Sequence, residues 1–308
     1  MPEMLAWARL MRLPNLASAA ADSLAGGLVV SRLTSLDWPP AACGLAVLAS
    51  VAFYAAGMVL NDVCDVELDR VERPERPLPS GAIAVPRAAL VGGVLMAVGA
   101  AAACAAAVAA NSPWPALVGA ALTAAIWLYD RHAKATGAGP AVMGACRGLN
   151  WLLGMTAAGG PMTRADWMIP VGMSVYVAGI TIVARDEAAT NRRATLAVGA
   201  VVMALGLGAA AGFVWLPLID GHTRTATLES TTWLACWGLL AGSILVRAGQ
   251  AVADPSPGRV RAAVGNAIMA IITLDAVLVL AACGERWAIA VIMLVAWFIL
   301  GRRLVPPT

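Results

Sequence analysis

Charge is scarce in this 308-residue chain. Asp, Glu, Lys and Arg make up 13% of it, against 60% apolar residues and a mean hydropathy of +0.79. A water-soluble domain carries roughly twice that charged share, so the composition excludes one. Histidine is nearly absent: His132 and His222 fall in separate predicted loops on opposite faces. That removes a His-based metal site or a hydrolase triad from consideration. The six cysteines (Cys43, Cys64, Cys104, Cys146, Cys236, Cys283) form no CxxC pair and no zinc spacing. Most of them lie in predicted helices, where cysteine packs as a small apolar residue. Lys and Arg never form a run, so nucleic acid is not an expected partner. With no polar linker and no low-complexity tail, residues 1–308 read as a single integral-membrane domain.

What fills the chain instead is a series of apolar runs, each about 20 residues long, the length that crosses a bilayer as a helix. Candidate spans are 15–33, 41–60, 88–110, 114–130, 140–160, 167–184, 195–216, 231–250, 262–282 and 285–301. The last two are separated only by Cys283 and Gly284, so the expectation is an all-α, polytopic bundle of nine or ten transmembrane helices. Ala17–Ala21 resembles a signal cleavage region, but the apolar run continues past Val30, which reads as a retained first span. Residues 1–13 read as an interfacial amphipathic segment with Arg9 and Arg12 on its polar side. The basic residues set the orientation. With the N-terminus inside and ten spans, sixteen of the 21 Lys and Arg residues fall on the inner side. Only Arg32, Arg164, Arg224 and Arg286 fall outside, and Arg147 lies within a span. The positive-inside bias therefore predicts N-in and C-in.

The densest polar stretch is Asn61–Gly81, NDVCDVELDRVERPERPLPSG, inside an expected cytoplasmic loop at 61–87. If the preceding helix continues, Asn61, Asp65 and Asp69 are four residues apart and share a face, with Asp62 on its flank. Clustered carboxylates repel unless a hard cation sits among them, and oxygen-only ligands suit Mg²⁺, which commonly accompanies phosphate. Arg73 and Arg76 follow in an RPxRP frame stiffened by Pro74, Pro77 and Pro79, and can hold phosphate oxygens. The alternative is a solvated loop between two helices. The regular spacing and the adjoining arginines favour the chemical reading.

Two further segments open on the same predicted face. Span four ends in Tyr129-Asp130-Arg131-His132-Ala133-Lys134, a basic loop, and span six ends in Arg185-Asp186-Glu187, at the start of a loop at 185–194. Two carboxylate walls with Arg and Lys opposite would make a diphosphate site. Metal and cations would stabilise the leaving group of an allylic diphosphate, and an apolar chamber would keep water from the carbocation. Deeper in the bilayer, Asp22 and Asp275 are carboxylates at membrane depth, which usually face a cavity or a partner. Arg147 and Asn150 are candidate partners. The cluster reads either as a clamp between helices or as a wall of an acceptor pocket with an acid able to take a proton. Tryptophans near span ends, including Trp7, Trp38, Trp114, Trp167, Trp233 and Trp287, read as interface anchors. For Trp151 and Trp215 core packing is the default reading, with lining of the chamber the alternative.

The Asn61–Gly81 stretch resembles, nearly end to end, the first motif of the UbiA superfamily of intramembrane prenyltransferases, NDxxDxxxD followed by RPxRPLxSG. Arg12-Leu13-Pro14-Asn15 is similar to that family's entry to its first span. The resemblance implies a helical bundle around a central cavity, with two Asp-rich motifs holding Mg²⁺ and an isoprenyl diphosphate. It implies Asn61, Asp62, Asp65, Asp69 and Asp186 as metal or catalytic residues. Arg73, Arg76, Tyr129, Lys134, Glu187, Asn15 and Arg147 would bind substrate. The second motif departs from the family's DxxxD, because Thr190 stands four residues after Asp186. RDEAATNRR resembles the EboC-type branch. The implied reaction is Mg²⁺-dependent transfer of an isoprenyl group from its diphosphate to an aromatic or sugar/cyclitol-like acceptor. The competing reading is a non-catalytic carrier or transporter of lipid precursors, for which the one-sided charge and the lack of inverted repeats are unfavourable.

Overall fold

The computed structural model describes residues 3–33, 41–161, 163–185, 193–219 and 230–305. Among them the regular structure is entirely helical. A short helix α1 (Glu3–Leu10) and a 3-10 turn (Leu13–Asn15) lead into α2 (Leu16–Leu33). There follow α3 (Ala41–Cys64), the short α4 (Val66–Glu72), α5 (Val85–Ala109) and α6 (Trp114–Leu128), then a π turn (Tyr129–Ala133). The rest of the chain forms α7 (Gly139–Ala157), α8 (Arg164–Arg185), α9 (Arg193–Ile219), α10 (Ser230–Ala253), α11 (Pro257–Cys283) and α12 (Glu285–Leu304).

Each of the ten apolar runs coincides with one of the long helices. Eight helices among the described residues are long and apolar enough to cross a membrane. The other two differ for physical reasons. Helix α6 has 15 residues, roughly 22 Å at 1.5 Å per residue, and reaches further only by running on through the π turn. Helix α7 carries Arg147 and Asn150 into the interior, which lowers its hydropathy.

Neighbouring helices pack in a ring. The contacts run from α2 to α3, α5, α6, α7, α8, α9, α10 and α11, and both α11 and α12 return to α2. Helix α2 also packs along α7, so these two form the inner seam. Small residues permit close approach, as between α8 and α9. A Cβ on Gly206 would stand 2.3 Å from the Tyr176 nitrogen, and one on Gly179 2.6 Å from that of Met203. Backbone against backbone of this kind is how apolar helices gain packing energy without a hydrophobic drive between them. Buried polar side chains tie helix to helix through backbone carbonyls. The Ser50 hydroxyl donates to Ala19 O at 2.7 Å, that of Tyr176 to Ala267 O at 2.8 Å, and the Trp233 indole to Val277 O at 2.7 Å. Trp233, expected at the interface, is thus a core residue stacked on Trp237. Trp38 lies outside the described residues. Trp151 is fully buried and Trp215 faces outward at 46% exposure, so neither lines the chamber.

The segment 61–87 is less of a loop than its charge suggests. Asn61–Cys64 completes α3, and α4 follows almost without a break. Helix α1 buries Ala6 and Leu10 against Val59, Leu78 and Ile83, while Arg87 at the start of α5 pairs with Glu3 and stacks on Trp7. The amphipathic N-terminal segment therefore braces the acidic stretch.

Candidate active site

The helical phase continues through the acidic stretch. Asp65 N donates to Asn61 O at 3.0 Å and Asp69 N to Asp65 O at 2.8 Å, which stacks the three side chains on one face. Beyond them Arg73 N caps on Asp69 O at 2.9 Å, and the proline-rich turn folds back so that Leu78 and Ile83 are buried. Gly81, at φ +75, supplies the left-handed residue that closes the turn.

Three cationic side chains interleave with this face, and a fourth stands beside them. Lys134 Nζ donates to Asp65 Oδ1 at 2.5 Å. Arg76 Nη1 donates to Asp69 Oδ2 at 2.7 Å and stands 3.7 Å from Asp62. Arg12 reaches Asp62 at 3.6 Å from a left-handed backbone position, φ 49 and ψ 50, a strained choice for a non-glycine residue. Arg185, the last residue of α8, donates to the carbonyls of Lys134, at 2.8 Å, and of Thr136. The end of α8 therefore sits beside Lys134. Asp186 and Glu187 themselves, with the rest of the second motif, lie outside the described residues.

Two residues enter the site that sequence reasoning passed over. Asp130 accepts a 2.9 Å hydrogen bond from Asn61 Nδ2. That bond fixes the Asn61 amide, turning its oxygen away from Asp130. The signal for Asp130 was hidden because it stands among Arg131, His132 and Lys134 in what reads as a basic loop. The other is Arg12, named before only on the polar side of the N-terminal segment and in the Arg12–Asn15 motif. Lys134 carried a second signal in plain view: it is the only lysine in the chain. Its position depends on the π turn, in which Lys134 N donates to Tyr129 O at 3.1 Å, an i to i+5 bond that stacks the two residues.

Two cavities meet at Arg12. One, of about 370 Å³, is lined by Arg9, Arg12, Asn15, Asp62, Arg73, Arg76 and Arg302. The other, of about 170 Å³, runs into the bundle. Asn61, Tyr129 and Asp130 line it together with an apolar wall that includes Phe53, Leu122, Ile126 and Met143. The same cavity reaches Asp22, Arg147 and Asn150. Arg147 Nη1 donates to Asp22 Oδ2 and to Ser18 O, and Asn150 Nδ2 donates to Asp22 Oδ2 at 2.9 Å.

Among the described residues, no three His, Cys, Asp or Glu side chains already form an ion-sized cluster. The carboxylates are held by Lys134, Arg12 and Arg76 instead. The donor set nevertheless fits Mg²⁺. All its atoms are oxygens, and buried Asp62 Oδ1 and Asp130 Oδ2 lack hydrogen-bond partners. Mg²⁺ typically takes only one or two carboxylates from the protein and completes its shell with phosphate and water.

A model of the UbiA prenyltransferase family matches residues 23–264. Digeranylgeranylglyceryl phosphate synthase of Halobacterium salinarum is 31% identical over 193 residues, 62% of this chain and 61% of that protein. The enzyme of that name from Sulfolobus acidocaldarius is 40% identical over 96 residues, 30% of this chain and 33% of that protein. The chain thus spans at most about 61% of the length of these curated relatives. Among solved structures, one described as digeranylgeranylglyceryl phosphate synthase superposes with a TM-score of 0.65 at 18% identity. It covers 92% of this chain and 100% of that one. A UbiA homolog from Archaeoglobus fulgidus bound to GPP and Mg²⁺ gives 0.63 at 16% identity, over 94% and 99%. At these identities the likeness is one of fold.

Proposed function

The chain belongs to the UbiA prenyltransferase family, and from that premise we propose that it is an Mg²⁺-dependent integral-membrane prenyltransferase. It moves an isoprenyl group from an isoprenyl diphosphate to a nucleophilic acceptor and releases diphosphate. The observation that carries this reading is the interleaving of Asp62, Asp65 and Asp69 with Arg12, Lys134 and Arg76 at the mouth of a largely apolar cavity. In this reading residues 1–308 act as one domain, and the acidic mouth faces the cytoplasm with both termini inside.

Bound Mg²⁺ would supply charge neutralisation to the diphosphate as its bond to the allylic carbon breaks. Asn61, Asp62, Asp65 and Asp69 would hold it together with Asp186, which follows α8 in sequence, and Asp130 keeps the Asn61 amide turned outward. The cations now paired with these carboxylates are the ones freed to grip phosphate oxygens. Lys134 and Arg76 lead, and Arg12, Arg73, Tyr129, Asn15 and Glu187 complete the polar wall. Charge-assisted hydrogen bonds of this type are short and strong, and preorganised ones stabilise charge where it develops. Phe53, Leu122 and Ile126 shelter the tail and keep water from the allylic cation.

The test is diphosphate release by purified protein given geranyl or geranylgeranyl diphosphate. Release that needs Mg²⁺ and disappears in Asp65→Ala and Asp69→Ala, at normal abundance in membranes, is the expected result. Binding without release by the wild type would mark a carrier instead and refute the reading.

A further inference from the structure

The arginine-lined cavity carries more positive charge than the acidic face uses. On that face Asp62, Asp65 and Asp69 are matched by Arg12, Lys134 and Arg76. Arg73 and Arg302 line the same cavity as Arg12 and Asp62, yet neither makes an ion pair among the described residues. Asp62 is the one carboxylate among the described residues of the wall, against Arg9, Arg12, Arg73, Arg76 and Arg302. Asp65, Asp69 and Lys134, where the donor diphosphate is read to sit, are not part of that wall.

The surplus cations come from distant parts of the chain. Arg9 belongs to α1, Arg73 follows α4, and Arg302 stands in the last turn of α12. Close packing docks α12 at this point: a Cβ on Gly301 would stand 3.1 Å from Pro14 Cα. Beside Gly301, the Arg302 guanidinium lies over the ring of buried Phe298, 5.7 Å from its centroid, and both line the cavity. A cation at a helix C-terminus is favoured by the macrodipole alone. Arg303, exposed at the same helix end, answers to that account, but it is not in the cavity wall. Arg302 is, and an arginine held on an aromatic ring still has its N–H donors to give.

The wall restricts its ligand. An excess of fixed cations calls for an anion. Several guanidinium forks converging on one hollow suit a phosphoryl group, which offers three free oxygens, better than a carboxylate, which fills a single fork. The hollow meets the apolar cavity at Arg12, so a molecule anchored here by phosphate extends toward Phe53 and Ile126, where the prenyl tail is read to lie.

We propose that this hollow is a second anion subsite, separate from the diphosphate position at Asp65 and Lys134, in which Arg302, with Arg73 and Arg9 beside it, holds a phosphoryl group of the prenyl acceptor. The proposal rests on the prenyltransferase reading. It makes α12, which lies beyond the residues 23–264 that carry the family match, part of the substrate site. Arg302 is its specificity-determining residue. Arg12, held by Asp62, divides the two subsites.

The test reads binding and turnover separately. Full-length protein in phosphatidylcholine nanodiscs is saturated with Mg²⁺ and non-cleavable geranylgeranyl thiodiphosphate. Labelled sn-glycerol 1-phosphate and octadecylglyceryl phosphate are then titrated, with glycerol and octadecylglycerol as uncharged counterparts. A phosphate probe should bind alongside the thiodiphosphate, and its uncharged counterpart at least about 10-fold more weakly. Arg302→Ala should weaken the phosphate probe by at least about 10-fold while thiodiphosphate affinity stays as in wild type. Arg302→Lys should recover part of the loss, and Arg303→Ala should show none. Should Arg302→Ala fail to accumulate, Arg302→Gln is read the same way. Displacement of the probe by thiodiphosphate would assign the hollow to the donor and overturn the proposal. Equal binding of charged and uncharged probes, no binding of either phosphate probe, or an equal loss in Arg303→Ala would also overturn it. Phosphatidic acid has no hydroxyl to offer; if it competed as well as octadecylglyceryl phosphate, the hollow would be a lipid headgroup site and not an acceptor site. Diphosphate release from geranylgeranyl diphosphate is followed in parallel. No release removes the prenyltransferase reading and the acceptor assignment with it, whereas release without Arg302-dependent probe binding overturns the subsite alone.

Discussion

The acidic mouth and the mid-bundle cluster are both built from carboxylates and cations, but they are opposite kinds of site. At the mouth, Asp62, Asp65 and Asp69 come from one stretch of chain, and their partners are long side chains. The Asp65–Lys134 pair is partly open, each side chain 22% exposed. In the bundle, Asp22, Arg147 and Asp275 come from three helices far apart in sequence, and both carboxylates are fully buried. Exposed pairs are worth about 0–1 kcal/mol, whereas removing one partner of a buried pair costs about 3–5 kcal/mol. The Asp65–Lys134 pair can therefore exchange its partners for a ligand at little structural cost, whereas Asp62 and Asp69, 6% and 5% exposed, sit deeper against Arg76. The cluster cannot, and it serves only with its architecture intact.

That contrast predicts opposite mutational signatures. Asp65→Ala should reduce prenyl transfer by about 100- to 1,000-fold, the scale of losing a preorganised charge-stabilising group. Its thermal denaturation in detergent should stay near that of wild type. Arg147→Ala should do the reverse first, losing about 3–5 kcal/mol of stability by leaving two buried carboxylates uncompensated. Adding Asp22→Asn to it should restore part of the melting temperature. If Arg147→Ala melted like wild type, the cluster would have no structural role. Lys134→Arg should fall between the two. It keeps the charge but changes a compact ammonium for a planar fork, and a roughly 10-fold loss of diphosphate-dependent activity without a change in melting is expected. Amine-selective labelling sharpens this measurement, because the chain has no other lysine. The smallest effect belongs to Gly81→Ala. It places a Cβ at φ +75 and should cost about 1–2 kcal/mol in the proline-rich turn, leaving the cluster undisturbed.

The same contrast explains what could be read from the chain. The helices were legible because apolar length alone specifies a membrane span, and the ten runs each became a helix. The mouth was legible because a helix brings residues four apart onto one face, so Asn61, Asp65 and Asp69 met without help from the fold. Asp130 was not, since its pairing with Asn61 spans 69 residues and its neighbours in sequence are basic. The reach of Lys134 was equally hidden, because whether it stacks on Tyr129 depends on an i to i+5 turn that composition does not dictate. Asp22, Arg147 and Asn150 occupy a middle ground. Their polarity at membrane depth announced them and suggested partners, but only packing of α2 against α7 brought both donors to one oxygen. Trp233 shows the converse: a tryptophan near a span end reads as an anchor until a neighbouring helix covers it.

The central claim is that the acidic face and the basic residues opposite it close on one diphosphate. A structure solved with Mg²⁺ and a non-cleavable isoprenyl thiodiphosphate tests this most directly. It should show phosphate oxygens bonded to Lys134 and Arg76, the ion on Asn61 and Asp65 with Asp186 completing its shell, and the prenyl tail along Phe53 and Ile126. A diphosphate bound away from Asp65 and Lys134, with their ion pair unbroken, would contradict it.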